Sequence, residues 1–358
     1  MRALTLQAGP AALEHIREHG IKPGDVRMMA GASGGAKWLV LSGLDKALVR
    51  DFVPGFRQPV HLLGSSIGAW RFGCYAQADP LAAISRFESA YLEQTYSEKP
   101  TRDEISQVGQ AMLAHILGPD GPAQIVNHPV FRTHIMTVRA KNLSASENTA
   151  LLLAGLTSAM IANQFSRKSL GRFFERALFH DVRDDPPFLD VSDFPISQIA
   201  LGPDNVEQAI RASGAIPLVI NGVRDIPGAP AGMYRDGGII DYHFDVPLST
   251  TSGLTLYPHF YPHMTPGWFD KKKRTREPNP THLDRVLLVS PSAEFVESLP
   301  GSKIPDRQDF KTMDSAKRLA AWRRVVEESE RLGDQFLRIA DNDDAHRFCE
   351  PLVAGARR

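Results

Sequence analysis

Two short apolar runs constrain the architecture of this chain more than any other feature. Val26 to Ala30 and Val60 to Leu63 each read as a buried strand, end in a glycine-rich turn and open into a helical pattern. Strand, glycine turn and helix, twice in succession, is the alternation expected of a parallel sheet covered by helices. The second turn, Gly64-Ser65-Ser66-Ile67-Gly68, spells G-x-S-x-G. In a sharp strand-to-helix turn of that form the serine is lifted out of the sheet, and the glycines relieve crowding around it. The following helix aims N–H groups and its positive dipole end at any oxyanion formed there. The same residues also read as a plain glycine-rich turn whose serine caps a helix.

The rest of the chain extends the alternation. Amphipathic helices are expected at Ala11 to Glu18, closed by Gly20 and the Pro23-Gly24 turn, and at Leu39 to Leu48. Another is expected at Leu81 to Leu92, after Asp79-Pro80. Residues 100 to 130 read as helical, Thr133 to Ala140 as a strand, and Ala150 to Phe179 as a largely helical stretch. An Asp- and Pro-rich surface loop follows at 181 to 195, then a short helix at Val206 to Ala212. A strand at Val286 to Ser290 and a long helix at Asp314 to Ile339 close the chain. With 358 residues and no internal repeat or low-complexity linker, one domain spanning 1–358 is expected.

Three stretches carry chemistry. The turn Gly31-Ala32-Ser33-Gly34-Gly35-Ala36-Lys37, the G-x-S-x-G at Ser66 and Asp236-Gly237-Gly238 occur in that order. Together they resemble the patatin-like phospholipase family, whose members carry a glycine-rich oxyanion loop, then G-x-S-x-G, then D-G-G/A. Arg211-Ala212-Ser213-Gly214-Ala215-Ile216-Pro217 is similar to the run that precedes the family's D-G-G. The resemblance spans about residues 26–250, with 251–358 as a C-terminal extension packed on that core. It implies a three-layer α/β/α hydrolase with a mainly parallel central sheet, using a Ser-Asp dyad and no metal or organic cofactor. Ser66 would be the nucleophile and Asp236 the base, with Gly34, Gly35, Ala36 and Ile67 at the oxyanion. Trp38 stands where the family usually has glycine. The substrate would be a fatty-acyl ester of a lipid. Acyl transfer or thioester hydrolysis on the same site, or a silent lipid-binding scaffold, are the alternatives.

These roles agree with elementary chemistry. A serine hydroxyl needs a base within hydrogen-bond reach, and without an intervening histidine the carboxylate must touch it directly. One well-placed N–H donor to the oxyanion is worth about 3 kcal/mol in the transition state. Gly31-Ala32-Ser33-Gly34-Gly35 is itself a G-x-S-x-G between strand and helix, so Ser33 is an alternative nucleophile. Gly9 to Ala12 would then have to form the oxyanion loop, and Pro10 has no N–H to give. The same turn approaches a phosphate-binding G-x-x-x-x-G-K-[ST]. Ala36 and Trp38 replace its second glycine and its metal-binding hydroxyl. Asp236-Gly237-Gly238 taken alone reads first as a plain turn.

Partners and compartment follow from composition. Forty-one basic residues balance 41 acidic ones, which gives no global electrostatic case for nucleic acid. Two cysteines without C-x-x-C, and an N-terminus lacking a signal-peptide core, lead to the expectation of a cytoplasmic protein. His259 and His263 have metal spacing only on a helix, which Pro258 and Pro262 forbid, and His243 is a candidate tuning residue near Asp236. Tyr257 to Arg276 combines aromatic residues with Lys271-Lys272-Lys273-Arg274. It reads either as a peripheral contact with anionic membrane or as a packed loop with a charged turn. Ala150 to Phe179 reads likewise as a lid or membrane-facing helix, or as a core helix.

Overall fold

The computed structural model describes residues 2–189, 191–249, 252–273 and 275–352. Its strands are β1 (Leu4–Ala8), β2 (Val26–Gly31), β3 (Val60–Ser65), β4 (Phe131–Ala140), β5 (Phe174–His180) and β6 (Ile196–Ala200). They continue with β7 (Val223–Arg224), β8 (Met233–Asp236), β9 (Leu254–Pro258), β10 (Val286–Pro291) and β11 (Cys349–Pro351). All belong to one sheet in the order β11-β1-β10-β9-β2-β3-β4-β5-β6, with β8 on β4 and β7 on β8. The central run β10-β9-β2-β3-β4 is parallel throughout. Such strands, covered on both faces, are apolar along their whole length, and β2, β3 and β10 are buried at nearly every position.

The helices fall where caps and periodicity place them. Asp79 accepts from the Ala82 N–H to start Pro80–Glu93, and Asp314 accepts from the Lys317 N–H to start the 26-residue helix Ser315–Ala340. That long helix crosses Ser42–Ala47 so closely that a Cβ on Gly43 would lie 2.4 Å from the Glu330 nitrogen, and the Gly43 N–H donates to Ser329 Oγ at 2.8 Å. Behind the Ser66 turn, the helix Ile67–Tyr75 is locked to Ser42–Ala47 by a buried bidentate pair, Arg71 to Asp45 at 2.6 and 2.8 Å. Tyr75 adds a third bond to Asp45 at 2.9 Å.

One arrangement at β4 brings Ser66 and Asp236 together. Strand β3 runs parallel to β4 as far as Ser65, opposite Met136. At the next residue, Thr137, the same edge of β4 is taken over by antiparallel β8, with Asp236 opposite Thr137. Two strands therefore meet head to head along one edge, where Ser66 follows directly on β3 and Asp236 ends β8.

One expectation is corrected, and another is only partly answered. Ala150 to Phe179 is not helical throughout: the helix is Thr149–Phe165, and β5 begins at Phe174. Two charges of this stretch, Glu175 and Arg176, are engaged on β5. Glu175 accepts from Arg139, and buried Arg176 donates to Asp241 and Asp193. The aromatic residues of Tyr257 to Arg276 divide: Tyr261, Trp268 and Phe269 are half-buried, and Lys271 and Lys272 are exposed. Tyr257 lies on β9 inside the sheet, and Phe260 and Met264 after it are buried as well, so the first part of the segment is packed. Lys273 and Arg276 bond the carbonyl of Asn163, and Arg274 lies outside the described residues. Residues 181–189 and 191–195 are irregular, as expected, but bury Phe188 and Phe194.

Candidate active site

The turn after β3 carries the least ordinary backbone at the site. Ser66 sits at φ 54°, ψ −126°, a conformation that costs a non-glycine residue about 1–3 kcal/mol. Its N–H donates to Ser213 Oγ at 2.8 Å, and Ser213 donates in turn to the Met136 carbonyl at 2.6 Å. Ser213 thus clamps the strained turn to β4. The flanking glycines are required by close approach. A Cβ on Gly68 would lie 1.8 Å from the Gly31 oxygen, and one on Gly64 would lie 2.6 Å from Ala69 Cα.

Ser66 Oγ donates to Asp236 Oδ2 at 2.7 Å. The other oxygen, Oδ1, accepts from the Gly238 N–H at 2.7 Å. Burial pushes the Asp236 carboxyl up from 3.8 to about 6, against the opposing pull of those two bonds and of Arg307 and Lys271. It is therefore ionised at neutral pH, yet a far better proton acceptor than an ordinary carboxylate. Neither Gly237 nor Gly238 has positive φ. A Cβ at Gly237 would lie 2.2 Å from the Met136 oxygen, and one at Gly238 would lie 2.6 Å from Ser33 Oγ. The D-G-G run is needed for closeness rather than for bending.

Ser33 lies beside this pair. Its hydroxyl donates to Ser65 Oγ at 3.0 Å, its N–H donates to the Tyr242 carbonyl, and it has ordinary negative φ. Strain and carboxylate contact belong to Ser66. Gly34 and Gly35 line the cavity above it; Gly35 has φ +57°, and a Cβ on Gly34 would enter the Phe260 ring at 2.4 Å. Ala36 is buried behind the loop. Ile67 opens the helix after Ser66, where the first N–H groups have no helical partner. Trp38 turns away from the cavity and stacks on Phe87 at 4.1 Å, leaving the loop unobstructed.

A family model of the patatin-like phospholipases matches residues 31–244. The chain belongs to that family. A comparison with curated proteins returns no match. Among solved structures, human GIVD cytosolic phospholipase A2 is similar at 12% identity and a TM-score of 0.37, over 94% of this chain and 62% of that one. This patatin-like chain therefore spans less than two thirds of that enzyme's length. No helix among the described residues is long and apolar enough to cross a membrane.

Two cavities of contrasting character meet at Ser66 in this patatin-like fold. The smaller, about 250 Å³, is lined by Ser33, Gly34, Asp236 and Tyr242 and by three cations, Lys37, Lys271 and Arg307. Lys37 and Arg307 make no salt bridge or side-chain hydrogen bond among the described residues; Asp306 at the rim faces Lys303 at 3.5 Å. Lys271 rests its ammonium 3.9 Å above the Tyr242 ring, with Trp268 beside it. Desolvation there, with Lys37 and Arg307 nearby, lowers it to about 7. The larger cavity, about 660 Å³, is mainly apolar, with Ile67, Trp70, Tyr91, Met112, Ile220 and Phe310 in its wall.

Sequence reasoning did not reach Arg307, Ser65, Tyr242 or the clamping role of Ser213. Arg307 enters from the C-terminal third with no local motif, and Ser213 was visible only as part of a family-like run. His243 is buried, accepts from the Thr265 N–H at 2.9 Å and stacks on Tyr242, one layer behind the cavity. His259 is likewise buried and accepts from the Tyr261 N–H.

Proposed function

We propose that this protein is a lipid acyl hydrolase working through a Ser66–Asp236 dyad and an acyl-enzyme. The observation that carries the reading is the 2.7 Å contact between Ser66 Oγ and Asp236 Oδ2 at the junction of an apolar and a cationic cavity. Ser66 Oγ attacks the ester carbonyl while Asp236 Oδ2 takes its proton. The N–H groups of Gly34, Gly35 and Ile67 are the candidate donors to the oxyanion. The proton on Asp236 then passes to the departing alkoxide. Water, deprotonated by the same carboxylate, releases the fatty acid and restores Ser66. A base near pH 6 is well matched to this shuttling, because it is ionised at rest and still accepts a proton readily.

The cavities suggest how the substrate lies. The acyl chain fills the larger apolar space, and an anionic group on the alcohol side meets Lys37, Lys271 and Arg307. The aromatic pair Tyr242 and Trp268, which would suit a trimethylammonium, already holds the Lys271 ammonium. This favours net-anionic head groups over choline. The test is fatty-acid release from matched phosphatidic acid and phosphatidylcholine by wild type and Ser66→Ala. Release that depends on Ser66 and is faster on the anionic lipid supports the reading. Release that survives Ser66→Ala, or none from any long-chain ester, overturns it.

A further inference from the structure

The helix Thr149–Phe165 has 17 residues and not one charge. Phe165 is 86% exposed, Ile161 54% and Leu153 52%, and Leu151 and Met160 are exposed beside them. At about 100° per residue, these side chains share one continuous arc of about half the helix with Ala150, Ala154, Thr157, Ser158 and Gln164. The opposite arc, Leu152, Leu156 and Ala159, is buried on an apolar cluster with Ile239 and Ile240. Of nine exposed large apolar side chains among the described residues, six lie on this helix or just before it, at Leu143. A patch of that concentration marks an interaction surface.

The charges around the patch say what it meets. Lys168 and Lys272 are exposed near its C-terminal end, where neighbouring Lys273 bonds the Asn163 and Gln164 carbonyls, and Arg172 is exposed where its carbonyl meets Asn142, beside Leu143. Nearby acids are already engaged: Asp270 is buried and bonded to Asn163 and Arg276, Asp193 pairs with Arg167 and Arg176, and Glu147 pairs with Arg102 and Arg235. The exposed rim is therefore cationic. A second copy docking symmetrically would bring those cations together, whereas anionic lipid satisfies rim and apolar arc at once.

We propose that the helix Thr149–Phe165 lies in the interface of an anionic bilayer, apolar arc in the acyl region and Lys168, Arg172 and Lys272 among the phosphates. Docking there does not depend on Ser66 and stands apart from the hydrolase reading. It nevertheless brings lipid next to the catalytic wall. Asn163, on the buried side, donates to Asp270 Oδ1 at 2.8 Å, and Asp270 lies between Trp268 and Lys271, which line the smaller cavity.

The test is flotation of the full chain with vesicles of phosphatidylcholine alone and of phosphatidylcholine mixed with phosphatidylserine. Wild type is expected on the mixed vesicles, with binding weakened by salt. Leu153→Ser/Ile161→Ser/Phe165→Ser is expected to lower partitioning at least about tenfold. Lys168→Glu/Arg172→Glu is expected to lose about tenfold on the anionic vesicles only. Thermal unfolding and hydrolysis of a soluble short-chain ester check that both variants are folded; Phe165→Ser, the mildest change, replaces the triple variant if needed. Three results would each overturn the proposal. These are no wild-type binding to anionic vesicles, undiminished binding by the folded apolar variant, and a wild-type dimer that this variant converts to monomer.

Discussion

Asp236→Asn separates stability from activity. Asparagine keeps the shape, accepts from the Gly238 N–H through its oxygen and turns its amide toward Ser66 Oγ. What it removes is a buried charge. The native carboxyl ionises at about 6 against 3.8 ordinarily, because burial penalises the anion. That gap is worth about 3 kcal/mol. Below pH 4 the aspartate is protonated in folded and unfolded chains alike and the penalty is absent. Between about 4 and 6 the folded chain holds a proton that the unfolded chain has lost, so native stability falls as pH rises. Above 6 the full cost persists. The asparagine variant escapes it and should be more stable than wild type at pH 7 by up to about 3 kcal/mol. With an unfolding entropy of about 2.1 cal/mol/K per residue, that is about 4 °C in Tm. The advantage should vanish toward pH 4. Ester turnover should meanwhile fall about 10²–10⁴-fold with the loss of the base. Thermal scans across pH, beside a soluble-ester assay, read both effects. A variant less stable than wild type at pH 7, or one whose advantage does not change with pH, would refute the burial argument.

Other outcomes follow from the same geometry. On a neutral soluble ester, activity should drop about tenfold per pH unit below about 6 as Asp236 takes up a proton. On an anionic ester it should also decline above about 7, where Lys271 loses its charge, and Lys271→Met should abolish only that upper limb. Gly68→Ala drives a Cβ to 1.8 Å from the Gly31 oxygen and should cost at least about 3 kcal/mol, read by denaturant titration. Asp45→Ala strands the buried Arg71 guanidinium and should cost about 3–5 kcal/mol in the same titration.

The parts of the site that local spacing encodes were legible in the sequence. The glycine-flanked turn at Ser66 and the D-G-G at Asp236 declare themselves because close backbone approach excludes side chains at those positions. The parallel core strands are legible as apolar runs. What local pattern cannot carry is pairing across the sheet. That β8 takes over the edge of β4 where β3 stops is a property of topology, and so is the arrival of Arg307 from the C-terminal third. Strand β5 was hidden because Glu175 and Arg176 look solvated until Arg139, Asp193 and Asp241 are seen beside them. Of the aromatic residues from Tyr257 on, which suggested an outer surface, Tyr257 and Phe260 are buried, while Tyr261, Trp268 and Phe269 are half-buried. The fully exposed apolar face lies on Thr149–Phe165, which also buries its opposite side, a division that only burial shows.

The central claim is that Ser66, held at positive φ against Asp236, is the nucleophile. Its most direct test is labelling with a fluorophosphonate, mapped by mass spectrometry on wild type, Ser66→Ala, Ser33→Ala and Asp236→Asn. The expected result is an adduct on Ser66 that is absent in Ser66→Ala, retained in Ser33→Ala and strongly slowed in Asp236→Asn. An adduct on Ser33, or labelling of Ser66 at full rate without the carboxylate, would contradict it.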